Sequence, residues 1–238
     1  MKMKKLAALA LVVAMVAVPT FSFAARSTSS STSSSSAVVT TTTQTQTVGT
    51  GTSGTSVPTA TTKVNVAANG TTVSETGTTI DKSGTSIGLV VDTTTSTGTA
   101  VVSNGNGGIT IGTVSVHFAN GEAETAGLPT GVVERINKLN AGTAISEVLG
   151  TETGVDLTGF TALGNTRAVI AADAATGLTH TATEVTMVVD VPAGVEVAAV
   201  YYDNNTDRWV YVPVVVDPIT KTVKLTVPGS CTLQLVKK

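Results

Sequence analysis

The chain has 238 residues, a formal net charge of −2, a single cysteine and only 3% aromatic residues. Without basic clusters it has no electrostatic grip on nucleic acid or on an anionic membrane, so neither is expected as a partner. Cys231 alone excludes an internal disulfide framework, and its inward-alternating strand position predicts a buried, inert thiol rather than one used for dimerisation.

Residues 1–24 read as a secretory signal peptide. Lys2, Lys4 and Lys5 precede an apolar run over 6–18 that is too short for a comfortable bilayer span. Pro19 breaks the run, and Ser22-Phe23-Ala24 sets small residues where a signal peptidase reads. Cleavage after Ala24 is expected, giving a secreted, more acidic mature chain with no membrane association. No cysteine follows the signal to carry a lipid. Leu128-Pro129-Thr130-Gly131 resembles a sortase motif but lacks the residue between Pro and Thr, so no covalent anchor is expected.

Residues 25–63 are rich in Ser and Thr, with too little apolar surface to offset the entropy of ordering them, and predict a disordered, solvated linker. Gly49, Gly51 and Gly54 have dinucleotide-fingerprint spacing, but no strand precedes them and no helix follows. Residues 64–118 form a Gly/Thr-rich β-repeat segment. Asn69-Gly70-Thr71-Thr72-Val73, Thr76-Gly77-Thr78-Thr79-Ile80 and Ser83-Gly84-Thr85-Ser86-Ile87 recur every seven residues. Glycine returns in phase at 98, 105 and 112, with Val91 replacing it once. A turn followed by a short strand suits each unit. Two units per coil make a solenoid, and one strand per unit makes a meander.

Residues 119–238 predict a β-sandwich domain with a helical insert at about 130–150. Thr130 is the expected N-cap of a first helix, with Val132, Val133, Ile136 and Leu139 on one face and a Glu134–Lys138 pair. Thr143 is the expected cap of a second helix that carries Ile145, Val148 and Leu149. The two helices are expected to cover an open edge or end of a sheet. From 184 to 236, apolar residues alternate along short strands separated by turn formers: Pro192-Ala193-Gly194, the cluster 203–207, Asp217-Pro218 and Pro228-Gly229. This is the spacing of an antiparallel sandwich.

Chemistry-bearing residues are sparse. Gly84-Thr85-Ser86-Ile87-Gly88 matches a hydrolase nucleophile elbow, but the strand–turn–helix context that elbow requires is missing. Asp203, Asn205 and Asp207 have the alternating oxygen spacing of a calcium loop, but Arg208 stands where the pattern needs Gly, and a hairpin turn explains the same residues. Tyr201, Trp209 and Tyr211 gather on one hairpin, where aromatic faces could stack on a sugar ring; against this, the only Trp of the chain fits a core. No cofactor is expected.

The stretches Phe118-Ala119-Asn120-Gly121 to Leu128-Pro129, Val132-Val133-Glu134 with Ile136-Asn137-Lys138, and Tyr201-Tyr202-Asp203 to Arg208-Trp209 with Pro228-Gly229-Ser230 resemble uncharacterised secreted β-rich proteins of Gram-positive anaerobic bacteria. The last third is similar to the β-sandwich modules that end bacterial surface proteins. The resemblance implies a secreted β-rich protein and supplies no catalytic residues. The expected class is mainly β: an antiparallel β-sandwich with a two-helix insert. The expected function is that of a non-enzymatic extracellular or cell-envelope structural or adhesive protein; the alternative is a carbohydrate-binding module using the aromatic hairpin. Cell-wall or extracellular glycan, or self-association through Thr/Val-rich strand edges, are the expected partners.

Overall fold

The computed structural model describes residues 55–191 and 194–238. The expected signal peptide and most of the expected linker lie outside the described residues. In chain order the strands are β1 (Lys63–Val66), β2 (Thr72–Ile80), β3 (Ser86–Val91), β4 (Thr93–Thr94), β5 (Ala100–Ser103), β6 (Gly108–Ile111) and β7 (Val114–Phe118). Two helices follow, α1 (Thr130–Asn140) and α2 (Ile145–Leu149). Then come β8 (Thr161–Ala162), β9 (Arg167–Asp173), β10 (Gly177–Leu178), β11 (Thr183–Val189), β12 (Val197–Asp203), β13 (Arg208–Pro213), β14 (Val215–Asp217), β15 (Thr222–Val227) and β16 (Cys231–Lys237).

These strands build two antiparallel sheets. One runs β1-β2-β3-β11-β15-β14; the other runs β13-β12-β16-β9-β7-β6-β5-β4, with β10 added on β9 and β8 on β16. The Gly/Thr-rich segment is therefore not set apart from the residues after it. Its first three strands sit in the first sheet, where β3 pairs with β11 through Leu89 and Met187, and its last four sit in the second, where β7 pairs with β9. The linker's described end is also packed: Thr55 and Ser56 are buried, Ser56 N donates to Ile80 O and Thr59 bridges Thr78. Backbone pairing along β2 supplies what the side-chain composition there does not.

The seven-residue period marks turns, and the segment is a meander. Gly70, Gly84, Gly98, Gly105 and Gly112 all have positive φ and lie between consecutive strands, where L-residues are strained. At the one missing copy Val91 completes β3, and Asp92 takes the positive φ instead, at 57°. That single residue carries the chain from the first sheet to the second. Gly77 is the exception in position: it lies inside β2, at the register shift between Thr76 and Thr79. A Cβ there would sit 2.2 Å from the Gly107 carbonyl oxygen. Gly77→Ala is expected to cost about 1–3 kcal/mol in denaturant unfolding. Gly84→Ala, at an open turn, is expected to cost only the left-handed backbone penalty of about 1 kcal/mol.

Alternation fills the space between the sheets. Val185, Met187 and Val189 of β11 and Val223, Leu225 and Val227 of β15 meet Val116, Phe118, Val169, Leu233 and Leu235 of the second sheet. Strands β12 and β16 are buried on both faces, because α1 and α2 form a third layer. Val132, Ile136, Leu139, Ile145 and Leu149 pack with Leu157 and Phe160 over Ala198, Val200, Tyr202, Trp209 and Val236. Each such aliphatic side chain contributes about 1.5–3 kcal/mol on burial. The helices thus cover a sheet face and not an edge, because β12 is apolar on both sides.

The expected helix caps are displaced. The N-cap positions are Pro129 and Ala144, neither with a side-chain cap. Thr143 is used differently: its N–H donates to Lys138 O while Gly142 N donates to Leu139 O, a Schellman ending for α1. The helix ion pair among the described residues joins Arg135 to Glu152, not Glu134 to Lys138.

Candidate functional site

The aromatic hairpin β12–β13 places its rings on two faces. Register sets Tyr202 opposite Trp209, and their centroids are 5.6 Å apart. Trp209 is 2% exposed, beneath the helical layer. Tyr211, half-buried, lies on the same face, edge-on to Phe160 at 6.3 Å. Tyr201 points the other way, against the inter-sheet core. Tyr201, Trp209 and Tyr211, the rings of the alternative glycan platform, are therefore not brought together, and Trp209 takes the core place that its scarcity favours. The helices consume the face that sugar stacking needs.

The loop between these strands is a turn held by its own side chains. Asp203 Oδ1 accepts from Asn205 N at 2.9 Å and Oδ2 accepts from Thr206 Oγ1 at 2.8 Å. Asp207 takes positive φ, and its Oδ1 accepts from Tyr202 OH at 3.1 Å. The oxygens proposed for calcium at Asp203 and Asp207 thus close a hairpin. No cluster of three His, Cys, Asp or Glu side chains that could hold a metal occurs among the described residues.

The principal charged cluster lies where the two sheets meet, and sequence reading missed it. Asp81 follows β2 and Arg167 opens β9; Arg167 Nη2 stands 3.4 Å from Asp81 Oδ2, with both side chains almost wholly buried. Asp81 Oδ1 accepts from Ser83 N, Ser83 Oγ and Thr85 N, and its Oδ2 accepts from Asn165 N at 2.7 Å. Arg167 Nε donates to Thr79 Oγ1 at 3.0 Å, and Nη1 donates to Asn165 O at 2.7 Å. Buried Glu124 adds a second carboxylate in the field of Arg167 and accepts from Thr55 Oγ1 at 2.7 Å. Gly164 makes room: a Cβ there would lie 2.6 Å from Asp81 Oδ2. Burial opposes the Asp81 charge, yet the donors from Ser83 and Asn165 and the Arg167 cation hold its carboxyl below the ordinary range. Burial lowers the Arg167 guanidinium against the pull of Asp81.

This arrangement is chemically saturated. It binds the first sheet to the second and extends to Thr55. Its one sequence signal is Arg167 itself, a lone charge at the head of the apolar run 168–172.

A second buried carboxyl behaves oppositely. Glu75 lies over Gly88, where a Cβ would meet Oε2 at 2.6 Å, and its Oε1 accepts from Thr78 Oγ1. Burial raises its carboxyl in spite of Lys63 and Thr78. A raised value means the fold disfavours the charged form, a cost that is full above the folded pKa and vanishes below the unfolded one. Glu75→Gln is expected to raise the melting temperature at pH 7. That gain should shrink as pH falls through the raised folded value and be gone below the ordinary glutamate value, about 4.3.

The elbow serine, the two histidines and the cysteine stay apart from any such cluster. Ser86 opens β3 opposite Ile80, and a strand follows it, so the elbow geometry is not present. His117 sits half-buried in β7, lowered by burial, and His180 is exposed in the turn after β10. Cys231 is a free, buried thiol, and burial pushes it far above the usual thiol range. No protein-family model, curated protein or solved structure matches this chain.

Proposed function

We propose that this is a secreted, non-enzymatic structural or adhesive protein of the cell envelope or extracellular matrix. The observation that carries this reading is the saturation of the Asp81–Arg167–Glu124 cluster. The most deeply buried charges are spent on joining the sheets, with the donors of Ser83, Thr85 and Asn165 filling the Asp81 oxygens. A Ser/Thr-rich stretch before the sandwich and the apolar, lysine-headed start of the chain support export.

Fractionation of the producing cells tests this. The protein is expected in the medium or envelope fraction, with its N-terminus at Ala25 by mass spectrometry. Full-length protein beginning at Met1 in the cytoplasm would overturn export. A substrate screen that registers hydrolysis by the purified protein and loses it in Ser86→Ala would overturn the non-enzymatic reading.

A further inference from the structure

Among the described residues the two edges of the first sheet are unpaired, and they match each other. β1 forms one edge and β14 the other. Val64 and Val66 are 62% and 68% exposed, and Val215 is 70% exposed.

Backbone phase comes first. Ala67 N donates to Thr71 O, so Ala67, Asn65 and Lys63 turn their backbone groups toward β2, while Val64 and Val66 turn theirs outward. Lys221 O accepts from Val189 N, so Thr222 and Lys224 turn toward β14, where they oppose Asp217 and Val215. The N–H and C=O of Val216 then face the open edge.

Side-chain phase agrees. Val64 opposes Ser74, which opposes Val91 of the inter-sheet core, and Val216 opposes Val223 of the same core. Both valines are therefore on the inner side of the sheet. Lys63 and Asp217, one residue away from each, are on the outer side.

We propose that β14 of one copy adds antiparallel to β1 of the next, with Val216 opposite Val64. That register sets Asp217 opposite Lys63 and Val214 opposite Val66. Backbone phase, face and charge agree in it together. A shift of one residue puts the valines on the wrong face. A shift of two parts Lys63 from Asp217. Pro218, with no N–H, ends the pairing on one side. Because the pairing joins two different edges, the contact is head-to-tail, the β14 edge of one copy meeting the β1 edge of the next. The inference deepens the structural reading above by naming a second copy of the chain as partner, and it rests on that reading only for its purpose.

Cysteine pairing of the purified mature chain tests the register. In a non-hydrogen-bonded antiparallel pair the Cα atoms lie about 4.5 Å apart, within the range of a disulfide. A mixture of Lys63→Cys and Asp217→Cys is expected to form a covalent dimer under mild oxidation, and neither variant alone does so. Efficient cross-linking of Lys63→Cys with itself, or none in the mixture, overturns the proposal. A second arm needs no variant at the turn. The sedimentation coefficient of the unaltered chain is expected to rise with concentration, while Val64→Pro, which loses only an outward N–H, stays monomeric with unchanged circular dichroism. An unaltered chain that stays monomeric at all concentrations also overturns it. Failure here leaves export untouched, and a cytoplasmic location leaves the pairing untouched.

Discussion

Arg167→Met is expected to destabilise the protein by about 3–5 kcal/mol in urea unfolding at pH 7, because it strands buried carboxylates that had a cation between them. Asp81 loses the guanidinium at 3.4 Å, and Glu124 loses the positive field that its burial requires. Thr79 Oγ1 and the Asn165 carbonyl lose their donors as well. The sign of the pH dependence follows from Asp81, whose carboxyl is held low. Its contribution is fully present above the unfolded aspartate value, about 3.9, and is lost as pH falls through the folded one. The penalty of Arg167→Met should therefore shrink in acid. The double variant Arg167→Met with Asp81→Leu is expected to recover part of the loss, since an apolar pair leaves no unpaired charge. A single variant as stable as the parent would show that the cluster does not join the sheets.

Trp209→Ala is expected to cost about 3–5 kcal/mol, the range for emptying a buried aromatic site. The indole fills the space between β13 and the helical layer, with Tyr202 against it. Its Nε1 has no hydrogen-bond partner among the described residues, so Trp209→Phe removes an unsatisfied donor along with some volume and should cost less. The same burial predicts blue, poorly quenched fluorescence from this single Trp. Red, iodide-quenchable emission would place the ring in solvent and return it to a glycan-binding role.

Period-2 alternation made the strands from 184 to 236 legible, because one face of each meets a core. Val185, Met187 and Val189 carry that signal without interruption. The seven-residue glycine recurrence was legible as turns, since positive φ selects glycine. Its distribution over two sheets was not, because the switch falls on Asp92, outside the glycine phase. The helices were legible from Val132, Ile136 and Leu139. Their docking on a face was hidden in Ala198, Val200 and Tyr202, which alternate out of phase with the inner residues of the same strand. The aromatic hairpin was legible in part: a lone Trp suits a core, and Trp209 is buried, but ring proximity along the chain says nothing about which sheet face a third layer covers. The Asp81–Arg167–Glu124 cluster was invisible because its members are far apart in sequence and meet only through topology.

Amide hydrogen exchange of the purified chain tests the account most directly. Leu89 and Ile109, from the glycine-rich half, should exchange only with global unfolding, at the same free energy as Met187 and Leu233. Rapid exchange at Leu89 and Ile109 while Met187 and Leu233 stay protected would mean that the two halves fold apart, contradicting a single sandwich bound through Asp81 and Arg167.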